Sequence, residues 1–294
     1  MNNIKISCEL PNCMLNMNCN LNDYDFVLFH LYATNSTYRE YYKALRKYRP
    51  GRLMILDNSA YEFFVNGEEL DIAGYITVIN ELKPDMYIIP DFLMKKEKTI
   101  ESVRTFRFKN PKLNRHLPQE EMAVAQGDNA QELNDCLRTY KEMGISCVAI
   151  PFHNSFLKEL GHRNVTLCDK WRLMVSELRH PYTKSTSLLS SDDYYAMGRV
   201  TYLQHPETQE LLSEFKHVHL LGSHNPLEKR FEEEMGGLIK TMDTGYPVKC
   251  AIAGHELGKE PGKPDIIIDQ FLDDQLSAST KKLIASNVRK FADY

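Results

Sequence analysis

The sequence predicts an α/β chain of the (β/α)8 TIM-barrel class. Eight short apolar runs recur along it, helical stretches separate most of them, and several runs end in polar or turn-forming residues. Parallel strands buried on both faces read as near-continuous apolar runs, and a barrel does its chemistry at their C-terminal ends. At 294 residues the chain is long enough for such a barrel, which typically takes about 250. An open doubly wound sheet is the competing architecture. No Gly-rich fingerprint follows the first strand, so a dinucleotide domain has no support.

Taken in order, the segment before Tyr24 is Asn-rich and turn-like, apart from a short apolar piece near Ile4–Ile6. Phe26–His30 (FVLFH) reads as the first strand and Tyr38–Tyr48 as a basic helix. Leu53–Tyr61 (LMILDNSAY) is a buried strand that surfaces at Asp57. Glu69–Leu82 has apolar residues at helical spacing, and Met86–Ile89 runs into Pro90-Asp91. A charged helix over Lys95–Phe108 and a basic, Asn- and Pro-containing loop over Lys109–Pro118 follow. Met122–Ala125 leads to Gln126-Gly127, and Ala130–Met143 is an amphipathic helix closed by Gly144. Cys147–Ile150 ends in Pro151.

The pattern loosens over 152–215, which we read as an insertion. Helices are expected at Asp169–Leu178, Asp192–Met197 and Glu207–Phe215, with a Ser/Thr-dense stretch at Tyr182–Ser191. Regularity returns with Val218–Leu221 as a strand, Asn225–Met235 as a helix begun by Asn-Pro, and Leu238–Met242 leading to Asp243. Asp265–Ile268 (DIII) is the eighth run, and a helix over 277–291 closes a single barrel domain spanning 1–294.

Composition narrows the function. A net charge of −4 argues against a general nucleic-acid coat, though a local basic groove is compatible with it. No apolar run approaches the roughly 20 residues that span a bilayer, and the N-terminus lacks a signal-peptide layout. The expected setting is the cytoplasm, with no membrane partner. The cysteines Cys8, Cys13 and Cys19 are spaced too widely for the usual zinc pairing, and reduced thiols are the natural reading.

The ends of the runs converge on one mouth in a barrel. They carry Asp57, Asp91, Gln126-Gly127, Pro151, Gly222-Ser223 and Asp243-Thr-Gly. Paired carboxylates suit cleavage at an anomeric carbon, one attacking or stabilising the sugar cation while the other moves protons. An Asp beside a Gln also suits a purine edge, the carboxylate accepting from N–H groups and the amide donating to a carbonyl.

These motifs resemble the tRNA-guanine transglycosylase superfamily, especially the short phage and bacterial relatives that place 7-deazaguanine bases in DNA. LDNSAYE stands where the family has Asp-Ser-Gly-Gly-Phe, with Ser59 and Ala60 replacing both glycines. Asp91 in IIPDFL occupies the place of the Asp that reads the guanine edge, and Ala125-Gln126-Gly127 that of Val-Gln-Gly. Ala149-Ile150-Pro151 corresponds to the strand end that touches the base, and HLLGS (His219–Ser223) to the Leu-Met-Gly strand. KTMDTGYP aligns Asp243 with the nucleophile. No cysteine follows Cys250, so the family's C-terminal zinc cluster has no counterpart.

The resemblance implies that Asp243 attacks C1′ of a guanosine and that Asp57 moves the proton of the incoming base. Asp91, Gln126 and Gly127 would bind the base edge, Ile150, Pro151 and Gly222 would line it, and Tyr61 or Phe63 would stack on it. DNA is the favoured polymer and tRNA the other; no cofactor and no metal are called for. Basic residues of the Lys109–Arg115 loop and the last helix would meet phosphates. Three alternatives stay open: exchange or hydrolysis on free nucleosides or nucleotides, a barrel that binds without catalysis, and a metal-dependent hydrolase. The last would use His217, His219, His153, His224 and Asp91, although His217 and His219 begin their strand, away from a barrel's mouth.

Overall fold

A computed structural model describes residues 4–111, 113, 119–152, 155–179, 189–233, 236–258, 264, 266, 272–273 and 275–294. Its strands are β1 Lys5–Cys8, β2 Asp25–Leu28, β3 Met54–Asp57, β4 Met86–Ile88, β5 Glu120–Val124, β6 Cys147–Ile150, β7 His217–Leu220 and β8 Ile239–Thr244. They form one all-parallel sheet in the order β1-β8-β7-β6-β5-β4-β3-β2. Each strand from β2 to β8 neighbours the next, and β8 returns to β1. This is the strand order of a (β/α)8 barrel, without the reversal that defines a doubly wound sheet. The fold class is the expected one.

The eighth strand is not the expected one. Lys5–Cys8, overlapping the short apolar piece near Ile4–Ile6 in a segment otherwise read as turn-like, pairs with β8 in the register Lys5↔Thr241 to Cys8↔Thr244. Four residues are too few for periodicity to declare a strand whose partner lies at the other end of the sequence. Of DIII, Asp265, Ile267 and Ile268 lie outside the described residues, and Ile266 belongs to no strand. The first apolar run also ends early: Phe29 and His30 open a helix, Phe29–Thr34. The His30 N–H donates to Ser59 Oγ at 3.2 Å rather than to a neighbouring strand.

Contacts group the chain into two compact units. The first comprises Tyr24–Pro151 with Leu211–His219 and contains β2 to β6. Its helix Ile72–Leu82 starts at Asp71, whose side chain accepts the Gly74 N–H, and buries Tyr75, Val78, Ile79 and Leu82 at i, i+3, i+4, i+7 spacing. Tyr75 reaches the strands as well: its hydroxyl lies 2.7 Å from Ile88 O and 3.2 Å from Leu56 O. From helix Ala130–Glu142, Tyr140 donates to Val124 O at 2.8 Å. Two tyrosines therefore satisfy carbonyls close to where β3, β4 and β5 end, beside the residues expected to act.

The opposite ends of these strands are fastened by ion pairs. Arg46 grips Asp85 with two nitrogens at 3.0 and 3.1 Å, Asp85 accepts the Met54 N–H, and Arg52 Nε sits 3.0 Å from both Asp25 oxygens. Glu120 pairs with Lys216, which holds its carboxyl below the usual range despite burial. Stability is thus built at the strand starts, which leaves the ends for other work.

The second unit comprises Met1–Asp23, Phe152–Glu210 and Leu220–Tyr294. The inserted segment folds as helices Ser155–Arg163, Val165–Arg179, Ser191–Leu203 and Pro206–Ser213. The expected helices at 169–178 and 192–197 are present and longer, while residues 182–188 of the Ser/Thr-dense region lie outside the described residues. Gly161 and Gly198 let two of these helices touch backbone to backbone. A Cβ on Gly198 would sit 1.6 Å from Leu157 O, and one on Gly161 2.1 Å from Tyr194 O. Trp171 stacks on Phe231 at 5.2 Å and donates to Asp193 at 3.0 Å.

In the same unit Glu9, directly after β1, donates its N–H to Thr244 O of β8, and the other edge of β1 meets Asn22 and Asp23. The Asn22 amide accepts the Cys8 N–H and donates to Cys8 O, both at 2.8 Å. Asp23 accepts the Ile6 N–H on its side chain and donates its own N–H to Ile6 O, both at 2.9 Å.

Candidate active site

In the first unit the chemistry-bearing residues stand at the ends of β3, β4 and β5. Asp57 is the last residue of β3, and its Oδ2 accepts the Ser59 N–H at 2.8 Å. The turn is tight enough to force Ser59 to φ 59°, ψ 33°, a left-handed conformation costing about 1 kcal/mol for a residue with a side chain. A serine thus adopts the backbone that favours glycine, at a position where the resemblance expects glycine. Ser59 is fully buried, and its Oγ receives the His30 N–H and lies 2.9 Å from His30 Nδ1.

Asn58 and Gln126 converge on Asp91. Asn58 Nδ2 donates to Asp91 Oδ1 at 2.8 Å and to Ile89 O at 3.0 Å, while its Oδ1 accepts the Ala60 N–H at 2.8 Å. Gln126 Nε2 donates to Asp91 Oδ2 at 2.7 Å, and its Oε1 takes the Met94 N–H at 2.9 Å. That second bond fixes the orientation of the amide. Asn58 and Gln126 are 1 % and 3 % exposed, whereas Asp91 is only half-buried. Asp91 is the least buried residue of the three, and the two amides fix its carboxylate.

Burial pushes the Asp91 carboxyl above the ordinary carboxylate range, and the two amide donors pull the other way. Met94, like Ser59, is held at positive φ, 58°. Of the three described non-glycine residues with positive φ, two are therefore wired into these strand ends.

The other expected residues of this unit are placed as follows. Gly127 lies against the start of helix Ala130–Glu142: a Cβ there would meet Glu132 Cβ at 2.5 Å. Ile150 and Pro151 are buried at the end of β6. Tyr61, on helix Ala60–Asn66, is 47 % exposed, whereas the Phe63 ring sits 6.1 Å from Phe29 and 6.5 Å from His30.

In the second unit Asp243 lies in β8 and is half-buried. Its Oδ1 accepts the Gly222 N–H at 2.9 Å, and its carbonyl accepts the Ser223 N–H at 2.9 Å. Gly222 adopts φ 64°, which explains the glycine. Thr244 Oγ1 donates to Ser223 O at 2.5 Å. Behind this loop, Arg199 and Glu228 form a fully buried bidentate pair at 2.5 and 2.9 Å, and Ser223 Oγ donates to Glu228 at 2.8 Å. The Cys8 thiol is driven up by burial first and by the Asp243 and Asp23 carboxylates next.

The structure gives the histidines of the metal reading other work. His219 is fully buried and stacks on Phe26 at 5.1 Å, His217 is buried in β7, and the His224 ring lies 4.6 Å from Phe152. Among the described residues no three His, Cys, Asp or Glu side chains gather as a metal site; His153 lies outside them. Of the basic loop, residues 112 and 114–118 also lie outside them. In the last helix Lys290 donates to Leu257 O. Among the described residues no helix is long and apolar enough to cross a membrane.

Residue-by-residue reading missed His30, Asn58, Ser59, Arg199 and Glu228. Asn58 carried a signal, a polar residue in the turn directly after a buried run. Arg199 carried another, a lone charge inside the apolar stretch AMGRV. Comparison with known proteins finds no matching family model and no matching curated protein.

Proposed function

We propose that this protein is a base-exchange transglycosylase that replaces guanine in nucleic acid, DNA in preference to tRNA, with a 7-deazaguanine base. The observation that carries the proposal is the Asp91 carboxylate held by two buried amides at neighbouring strand ends. An acceptor-only group that its supports prevent from turning suits the N–H edge of a guanine-like base. Gln126, with its oxygen occupied by Met94, has one Nε2 hydrogen beyond the Asp91 bond for the base carbonyl.

In this reading the Asp243 carboxylate attacks C1′ as the C1′–N9 bond breaks, Asp57 delivers a proton to N9, and neutral guanine leaves an enzyme–sugar ester. Asp57 takes the N9 proton of the incoming base, whose nitrogen then displaces Asp243 from C1′. The Gly222 N–H, already on Asp243, holds the carboxylate in one orientation before attack and receives it afterwards. The target nucleotide must be unstacked or single-stranded to be reached.

Incubating the protein with labelled guanine or 7-deazaguanine bases and, separately, DNA and tRNA tests the proposal. Label should enter the polymer, DNA above tRNA. Exchange confined to free nucleosides would overturn the nucleic-acid assignment. Asp243→Asn should form no covalent adduct, and an adduct persisting in that variant would overturn the nucleophile assignment.

A further inference from the structure

We propose that Arg199, carried by the inserted helix Ser191–Leu203, positions Asp243 by gripping the far end of the Leu221–Gly222 peptide. The inference rests on the reading of Asp243 as the attacking carboxylate. Arg199 Nη1 donates to Leu221 O at 2.7 Å, and the Gly222 N–H donates to Asp243 Oδ1 at 2.9 Å. These two atoms belong to one peptide unit, which is planar and trans, so its C=O and N–H point in opposite directions. Fixing the oxygen fixes the direction of the N–H. The guanidinium charge also polarises the amide toward the carboxylate, as chained hydrogen bonds do at low dielectric.

The grip is rigid because Arg199 has little freedom. It is fully buried, Glu228 holds its other nitrogens, and its guanidinium lies 4.9 Å from the Phe152 ring centroid. The neighbouring Gly198 sets the helix register through its close approach to Leu157. A second tie runs from Asn225 Nδ2 to Asp193 at 2.7 Å, so the helix holds the 221–225 loop at both ends. A buried ion pair is a poor source of stability, since desolvation cancels much of its attraction. Its geometry suits a positioning device. On this account the insertion at 152–215 contributes to the reaction without supplying a group that touches substrate.

The test reads the Gly222 amide resonance of ¹⁵N-labelled protein. In the wild type this signal should lie downfield because of the bond to Asp243, and Asp243→Asn should move it upfield. The double variant Arg199→Met with Glu228→Gln replaces the ion pair by neutral side chains and keeps an acceptor for Ser223. It should move the Gly222 signal upfield and lower kcat by up to about 10²-fold with KM little changed. Trp171→Phe, which loosens the same helix at its Asp193 bond, should leave the Gly222 signal in place. Should the double variant fail to fold, Arg199→Lys keeps a cation for Glu228, lacks the fork that reaches Leu221, and should move the same signal. An unmoved Gly222 resonance in a folded Arg199 variant overturns the proposal. The resonance decides it whether or not base exchange is observed, so failure of the transglycosylase reading remains separable.

Discussion

Replacing Gln126 by Glu turns the support of Asp91 into a measurable proton. The change puts a carboxylate oxygen where Nε2 now donates to Asp91 across 2.7 Å. Two like charges at that separation repel by about 6 kcal/mol at an effective dielectric of ~20, so the pair keeps one proton at neutral pH. The other Glu oxygen still accepts the Met94 N–H, which removes any reason for the backbone to move. In the unfolded chain both carboxyls ionise near their ordinary values of about 4. The native state then binds one proton more than the unfolded state, so stability falls as pH rises. The slope should be about 1.4 kcal/mol per pH unit between about pH 5 and pH 7. Wild-type protein should show a slighter trend of the same sign, because the raised Asp91 carboxyl retains its proton above the pH at which the unfolded chain loses it. Urea unfolding of both proteins across that range measures the two slopes. Parallel slopes would refute the reasoning, since they would mean that the two side chains do not share a proton.

Gly198→Ala should destabilise by more than about 3 kcal/mol, because its Cβ would lie 1.6 Å from Leu157 O. Gly51→Ala, where an added Cβ meets nothing within 4 Å, should change stability by less than about 0.5 kcal/mol, and chemical denaturation compares the two. Tyr75→Phe removes the hydroxyl shared by Leu56 O and Ile88 O and should cost about 1–3 kcal/mol in the same experiment.

The runs at Met54–Asp57, Met86–Ile88 and Cys147–Ile150 were legible because strands buried on both faces need uninterrupted apolar residues. Asp57, Asp91, Gln126 and Asp243 were legible as candidates because each ends or follows such a run, and together they say more than any one of them. What supports them was not. Asn58 and Ser59 look like ordinary turn residues, and nothing in DNSA announces a left-handed serine bonded to a histidine 29 residues earlier. β1 was hidden because its burial depends on a strand near the far end of the sequence. The role of Arg199 depends on which peptide its guanidinium meets, and no local pattern encodes that.

The Asn22 and Asp23 contacts to β1 carry a consequence for assembly. β1 ends at Cys8 and β8 begins at Ile239, so during synthesis the strand waits for its partner until most of the chain exists. An unpaired edge in that interval invites pairing with another molecule. The residues that cover Cys8 and Ile6 lie only 14 and 17 positions further along and are made almost at once. A side-chain amide laid against Cys8 occupies the N–H and C=O that a foreign strand would need. The N-terminal segment therefore acts as its own chaperone on one flank, and Asn22→Leu should show its damage first as aggregation of newly made protein rather than as a lower melting temperature.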